Sequence, residues 1–278
     1  MPTGMRSLRR KLLLQSRLAT ANYRALPDFI IIGSQKCGTT SLFHYLGQHP
    51  QIAASFGKEV HYFDGGLEPS VDNFQKGKRW YQANFPLKKA IQPGHKAFEA
   101  SPLYIFHPLA PRRIHDLIPR VKLIALLRNP TERAISHYFH TKRRGKEDLP
   151  LFEALKRERD RLEPVMKSGD YKCDAFIHQS YQSRGLYLMQ LKRYLEYFSR
   201  DQILIMSSEE FFASPTACLR TVFEFVGVDP LFGIEDLAAR NVGGNKQQVD
   251  ARAHEYLDAF FKPHNEALYQ FVGRDYGW

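Results

Sequence analysis

Asp28-Phe29-Ile30-Ile31-Ile32-Gly33-Ser34-Gln35-Lys36-Cys37-Gly38-Thr39-Thr40-Ser41 is the stretch on which the fold turns. Its first half, Asp28 to Gly33, holds the unbroken apolar run that suits a strand covered on both faces, as in a parallel sheet sandwiched by helices. Its second half is a glycine-bounded turn leading into a helix over Ser41 to Gln48, ended before Pro50. Backbone N–H groups at such a helix start converge on one point, and the helix dipole adds partial positive charge, so the turn suits an anion. Lys36 supplies a full charge, and the hydroxyls of Thr39, Thr40 and Ser41 supply further donors. A motif this short also occurs as an ordinary strand-to-helix turn, so its meaning depends on what surrounds it.

Outward from this stretch the chain alternates strands and helices. A helix over Ala110 to Ile118 precedes a second buried strand, Val121 to Leu127, and another helix opens near Pro130, where proline at the first turn is tolerated. Leu186 to Phe198 has helical apolar spacing, Gln202 to Met206 suits an interior strand, and helices over Thr216 to Val226 and Val249 to Phe261 close the chain. The order predicts an α/β fold, a P-loop-like doubly wound parallel sheet flanked by helices. At 278 residues it fits one domain, residues 27–278, behind a basic N-terminal extension, residues 1–26. Arg143 to Lys172 is charged and weakly patterned, predicting a solvated helix and loop beside the core. Asn241-Val242-Gly243-Gly244-Asn245-Lys246 has the composition of a flexible loop.

Forty Lys and Arg against 29 Asp and Glu leave a formal charge of +11, which favours a phosphorylated or polyanionic partner. Aromatic and basic residues do not interleave on one face and no recognisable module is present, which argues against nucleic acid. Cys37, Cys173 and Cys218 are sparse and lack metal-ligand spacing, so a reducing, cytoplasmic setting without a disulfide framework or zinc site is expected. The amino terminus mixes Arg6, Arg9, Arg10, Lys11 and Arg17 with Leu12 to Leu14, far short of the ~20 apolar residues that span a bilayer. It reads as a frayed tail or as a basic amphipathic helix for peripheral contact with an anionic membrane.

A nucleotide kinase is the first enzyme to test against the loop. The consensus G-x-x-x-x-G-K-[ST] puts lysine after the second glycine, whereas Lys36 precedes Gly38. The second strand runs into Leu127-Arg128-Asn129-Pro130, with an arginine where a magnesium-holding aspartate would sit. Instead, Lys36-Cys37-Gly38-Thr39-Thr40-Ser41-Leu42 resembles the 5′-phosphosulfate loop of sulfotransferases that use 3′-phosphoadenosine 5′-phosphosulfate (PAPS). Leu127-Arg128-Asn129-Pro130-x-x-Arg133-Ala134-x-Ser136-His137-Tyr138 resembles their 3′-phosphate motif. The likeness extends to the heparan sulfate group of carbohydrate sulfotransferases through Lys58-Glu59-Val60-His61-Tyr62-Phe63-Asp64, Glu99-Ala100-Ser101-Pro102-x-Tyr104, Ala110-Pro111-Arg112-Arg113-Ile114 and Gly273-Arg274-Asp275-Tyr276-Gly277-Trp278.

The resemblance implies transfer of a sulfuryl group from PAPS to a hydroxyl or amine, in a carbohydrate or lipid-linked acceptor, leaving 3′-phosphoadenosine 5′-phosphate. It implies that Lys36, Cys37, Gly38, Thr39, Thr40 and Ser41 hold the 5′ end and Arg128 and Ser136 the 3′-phosphate, with Tyr187 near the nucleotide. Lys246 is a candidate replacement for the cations of the family's 3′-nucleotide loop, whose Lys-Gly-Arg pattern is absent. It gives the base role to Glu59, with His61 beside it. From the residues alone the two roles are interchangeable, because side chains two apart in an extended segment share a face and imidazole titrates near neutrality. Two departures separate this chain from the heparan enzymes: Ala100 stands where they carry lysine, and their disulfide before the last helix has no counterpart. The basic run Lys142-Arg143-Arg144-Gly145-Lys146 is either solvated surface or a contact for an anionic acceptor.

Overall fold

A computed structural model of the chain describes residues 12–240 and 249–278; the whole glycine-rich loop, Lys246 included, lies outside the described residues. Five strands, β1 (Phe29–Gly33), β2 (Ile52–Ala54), β3 (Lys96–Ala100), β4 (Lys122–Leu127) and β5 (Ile203–Ser207), form one sheet in the order β2-β3-β1-β4-β5. Every pairing is parallel, with Ile30 opposite Glu99 on one side and Leu123 on the other. All five residues of β1 are buried. Ile30 and Ile32 enter one core together with Leu123, Ala125 and Leu127 of β4, while Phe29 and Ile31 enter a second core with Ile124 and Leu126. Strand alternation therefore explains why the apolar run is continuous: each sheet face has its own hydrophobic layer.

Helices α1 (Thr39–Leu46), α2 (Gly77–Gln82), α3 (Ala110–Leu117), α4 (Pro130–Arg143), α5 (Leu151–Ser168), α6 (Asp174–His178), α7 (Tyr187–Leu195), α8 (Ser208–Ala213), α9 (Pro215–Val226) and α10 (Ala251–Val272) complete the described chain. The expected elements occur within a few residues of their predicted bounds, with three corrections. The stretch from Arg143 to Lys172, expected to be solvated, holds α5, which buries Leu151, Ala154, Leu155, Leu162 and Val165 in hydrophobic clusters. The last helix does not stop at Phe261; it continues through Pro263, because Leu257, Phe261, Asn265 and Leu268 keep one face buried across the proline. The segment holding Glu59 and His61 is not a strand: both residues adopt left-handed backbone, at φ 63° and 51°. Part of the N-terminal extension is also packed rather than frayed. Arg17 donates from Nε to the Ala83 carbonyl and from Nη2 to the Phe85 carbonyl, both at 2.6 Å, and Ala21 is fully buried.

From β1 the chain moves to β2 and β3 on one side and then crosses to β4 on the other. Such a reversal leaves a crevice beyond the carboxyl ends of the central strands, the usual ligand position in open α/β sheets.

Candidate active site

The loop after β1 opens onto this crevice. Gly33 lets the strand pass close to its neighbour, since a Cβ there would lie 2.3 Å from Ile105 Cγ2. Lys36 takes a left-handed conformation at φ 73°, and Gly38 follows at φ 92° as the N-cap of α1. No side chain caps that helix start, and Gly38, Thr39 and Thr40 line the cleft, so the donors of the first turn remain available to a ligand. Among the described residues, the non-glycine residues with positive φ are Lys36, Glu59 and His61. Backbone strain of this kind persists where surrounding structure enforces it, and it concentrates at functional sites.

The cleft measures about 800 Å³. It brings Gln35, Lys36, Gly38, Thr39 and Thr40 together with Arg128 and Ser136, contributed by the end of β4 and by α4, and with Glu59 from the segment after β2. Arg128 Nη1 donates to the Lys36 carbonyl at 3.3 Å, so its guanidinium adjoins the backbone of the loop after β1. Asn129 caps α4 by accepting from the Glu132 amide at 3.1 Å, which fixes the turn that carries Arg128. Burial, reinforced by the Arg143 and Arg128 charges, pushes the Lys36 ammonium below its ordinary pKa. Arg128 Nη2 lies 3.5 Å from Glu132, but among the described residues Lys36, Arg128, Arg143, Arg144 and Arg240 outnumber the Glu59, Glu132 and Glu209 carboxylates lining the cleft, which leaves a site that favours an anion.

Four expected site residues act from behind the cleft wall. Cys37 is fully buried in the core under the loop, where burial pushes its thiol up to about 11. Ser41 accepts from the Arg240 amide at 2.8 Å and so ties the start of α1 to the segment after α9. Tyr187 donates to the Arg128 carbonyl at 2.8 Å, holding that residue's backbone. His61 lies beneath Glu59. Its Nδ1 is 2.6 Å from Asp64 Oδ2 and its Nε2 3.4 Å from Glu59 Oε2.

The Glu59–His61–Asp64 row has a defined charge pattern. Burial opposes a charge on His61, but Asp64, itself fully buried, and then Glu59 outweigh it and raise the imidazole to about 10. Burial likewise opposes the Glu59 carboxylate, yet its bond to His61 and the adjoining Lys58 ammonium hold it at about 2. At neutral pH the row is therefore carboxylate, imidazolium, carboxylate. Beneath it, Glu99 on β3 accepts from the Tyr81 hydroxyl and the Ser101 hydroxyl, each at 2.7 Å, and from the Tyr104 hydroxyl at 3.1 Å. Its carboxyl is raised to about 7, by burial first, despite those three bonds.

Site residues not singled out in the sequence also face the cleft. His140 stands on α4 one helical turn beyond Ser136; burial and the Lys36, Arg144 and Arg143 charges lower it to about 4, so it is neutral at physiological pH. The signal was available, since i and i+4 positions share a helix face. The basic run divides: Arg143 and Arg144 reach the cleft rim, whereas Lys142 bonds to the Asp148 and Leu149 carbonyls and Lys146 pairs with Asp174.

Comparison with known proteins agrees with this geometry. The family model of the sulfotransferase domain matches residues 26–258. Bifunctional heparan sulfate N-deacetylase/N-sulfotransferase 2 of Bos taurus is 29% identical over 278 residues, covering 90% of this chain; the chain corresponds to about 30% of that protein's length. Heparan sulfate glucosamine 3-O-sulfotransferase 6 of Mus musculus is 30% identical over 277 residues, covering 92% of this chain and 74% of that protein. The crystal structure of a sulfotransferase from Alicyclobacillus acidocaldarius aligns at a TM-score of 0.69 with 32% identity, covering 90% of this chain and 97% of that one. With a matching family model over most of its length, and that domain's fold around its cleft, the chain belongs to the sulfotransferase domain family.

Proposed function

We propose that this chain transfers the sulfuryl group of PAPS to a hydroxyl or amine of a carbohydrate acceptor, with Glu59 as the general base. The observation that carries the proposal is the meeting, in one cleft, of two cations from separate strand ends and a carboxylate: Lys36 after β1, Arg128 after β4, and Glu59. A donor with anionic groups at both its 3′ and 5′ ends suits two anchors, and arginine's planar fork of donors suits a terminal phosphate. The named relatives act on heparan sulfate and on its glucosamine, which favours a carbohydrate acceptor here.

In the proposed reaction the acceptor oxygen or nitrogen attacks sulfur in line with the departing 5′-phosphate oxygen. The new bond to sulfur forms as the S–O bond to that phosphate breaks, and the acceptor's proton passes to Glu59. Charge develops on the leaving oxygen, where Lys36 and the first-turn amides of α1 stabilise it. Glu59 is favoured over His61 as base because an imidazolium donates through both ring nitrogens and has no lone pair for a proton. His61 instead orients the Glu59 carboxylate, and Asp64 keeps His61 charged. Turnover of labelled PAPS with wild-type and Glu59→Gln enzyme tests the assignment. Loss of transfer with retained binding of 3′-phosphoadenosine 5′-phosphate supports it, and wild-type turnover in the variant overturns it.

A further inference from the structure

The phosphate loop is held from within the protein by one buried cation. Arg184 is 2% exposed. Its Nε donates to Ser180 Oγ at 2.8 Å, and its Nη2 to the Phe176 and Ile177 carbonyls at 2.9 and 2.7 Å. Its guanidinium also lies over the Phe106 ring, 5.2 Å from the centroid. These contacts immobilise the fork and leave Nη1 directed at Oε1 of Gln35, the residue immediately before Lys36.

That contact settles which way round the Gln35 amide sits. Arginine has donors and no acceptor, so Gln35 must present its oxygen to Arg184, and its NH₂ group is turned away from the arginine. Gln35 is half-buried and lines the cleft, and among the described residues its side chain is bonded to Arg184 alone. An amide whose oxygen is already engaged offers a neutral, oriented pair of N–H donors beside the Lys36 charge. The loop's own geometry requires such bracing, because Lys36 is in a left-handed conformation that a free loop would abandon.

We propose that Gln35 donates through Nε2 to an oxygen at the 5′ end of the donor, and that Arg184 is the positioning residue that fixes the amide for this contact. The proposal rests on the PAPS reading above. Because the guanidinium is held by the α6 region and the loop by the guanidinium, Arg184 also makes the placement of the phosphate loop depend on that region.

Titration calorimetry with two probes tests it: 3′-phosphoadenosine 5′-phosphate, and adenosine 3′-phosphate, which lacks the 5′ group. Gln35→Met should bind the first about tenfold more weakly, as expected for loss of a hydrogen bond to a charged group. It should bind the second within about twofold of wild type, since that ligand offers nothing to contact. Arg184→Met should show the same selective loss, smaller in size, and the double variant should be no weaker than Gln35→Met. Unchanged affinity of Gln35→Met for the bisphosphate overturns the proposal. So does an equal loss for both probes, which indicates a deformed loop, and so do losses that multiply in the double variant. Should Arg184→Met fail to fold, the comparison of probes on Gln35→Met decides the matter, because that side chain is partly exposed. Wild-type enzyme that binds AMP as tightly as 3′-phosphoadenosine 5′-phosphate refutes the donor assignment itself, an outcome distinct from a silent Gln35.

Discussion

Replacing Asp64 by Asn removes one negative charge beneath the base while keeping an acceptor for His61. The wild-type contact is a charge-assisted hydrogen bond, 2.6 Å from His61 Nδ1 to a fully buried carboxylate that also accepts from the Gly66 amide at 2.9 Å. Bonds of this class contribute about 1.5–3 kcal/mol, and about 1.36 kcal/mol corresponds to one pH unit of titration. The imidazole, about 10 in the wild type, should thus titrate about one to two pH units lower in Asp64→Asn. Following the ring nitrogens by NMR in protein with ¹⁵N-labelled histidine reads this directly. The sign for stability follows: a raised imidazole contributes fully below its unfolded value of 6.5 and loses that contribution as pH rises through about 10. The window over which alkaline pH weakens the protein should therefore open near 6.5 in both proteins and close at a lower pH in the variant, with a smaller total loss. A wild-type His61 that titrates near 6.5, or an unmoved titration in Asp64→Asn, refutes the charged row and the orienting role given to His61.

Glu59→Gln should lower kcat by about 10²- to 10⁴-fold, the ordinary worth of a positioned base, while calorimetric affinity for 3′-phosphoadenosine 5′-phosphate stays near wild type. Because burial fails to overcome the His61 bond and the Lys58 charge, Glu59 is held at about 2, and activity should show no acid limb from this group between pH 5 and 8; its stability contribution, present above 4.5, is lost only as pH falls through about 2. Arg128→Ala should weaken the bisphosphate roughly 10- to 100-fold in the same measurement and leave AMP unchanged, since only the 3′-phosphate is deprived of a partner. Gly38→Ala puts a side chain at φ 92° and a Cβ 2.8 Å from the Phe212 ring. The left-handed conformation alone costs about 1–2 kcal/mol, a drop in Tm of about 2–4 °C per kcal/mol in a scanning calorimeter.

Strands β1, β4 and β5 were legible because each is an apolar run with no polar interruption. Strand β3 was not. It is Lys96-Ala97-Phe98-Glu99-Ala100, and a glutamate in an interior strand argues against the assignment until three hydroxyls are seen converging on it, Tyr81 from α2 and Ser101 and Tyr104 from the turn just after the strand. Strand β2 has three residues and carries no period to read. The turn after β1 and the turn carrying Arg128 were legible through local chemistry, glycine before one helix and proline at the first turn of the other. The pairing of Glu59 with His61 was expected from strand alternation, yet it arises from two departures from extended backbone, at Glu59 and at His61, with Glu59 N bonded to the Ala100 carbonyl at 2.9 Å and His61 N to Ser101 Oγ at 3.0 Å. Tertiary bonds of that kind override local preference and leave no mark in spacing. Arg184 carries no signal in the sequence, because nothing there shows that a buried guanidinium meets a loop 149 residues away.

Whether the cleft grips a nucleotide by both ends is tested most directly by comparing the thermal shifts produced by 3′-phosphoadenosine 5′-phosphate, AMP and ATP with magnesium. A ligand at a hundred times its dissociation constant stabilises the native state by about 2.7 kcal/mol, which a melting curve resolves. Two anchors require that the bisphosphate shift the melting temperature most and that AMP, lacking the 3′ group, shift it little. A larger shift with ATP and magnesium, or equal shifts with AMP and the bisphosphate, contradicts two-ended binding at Lys36 and Arg128.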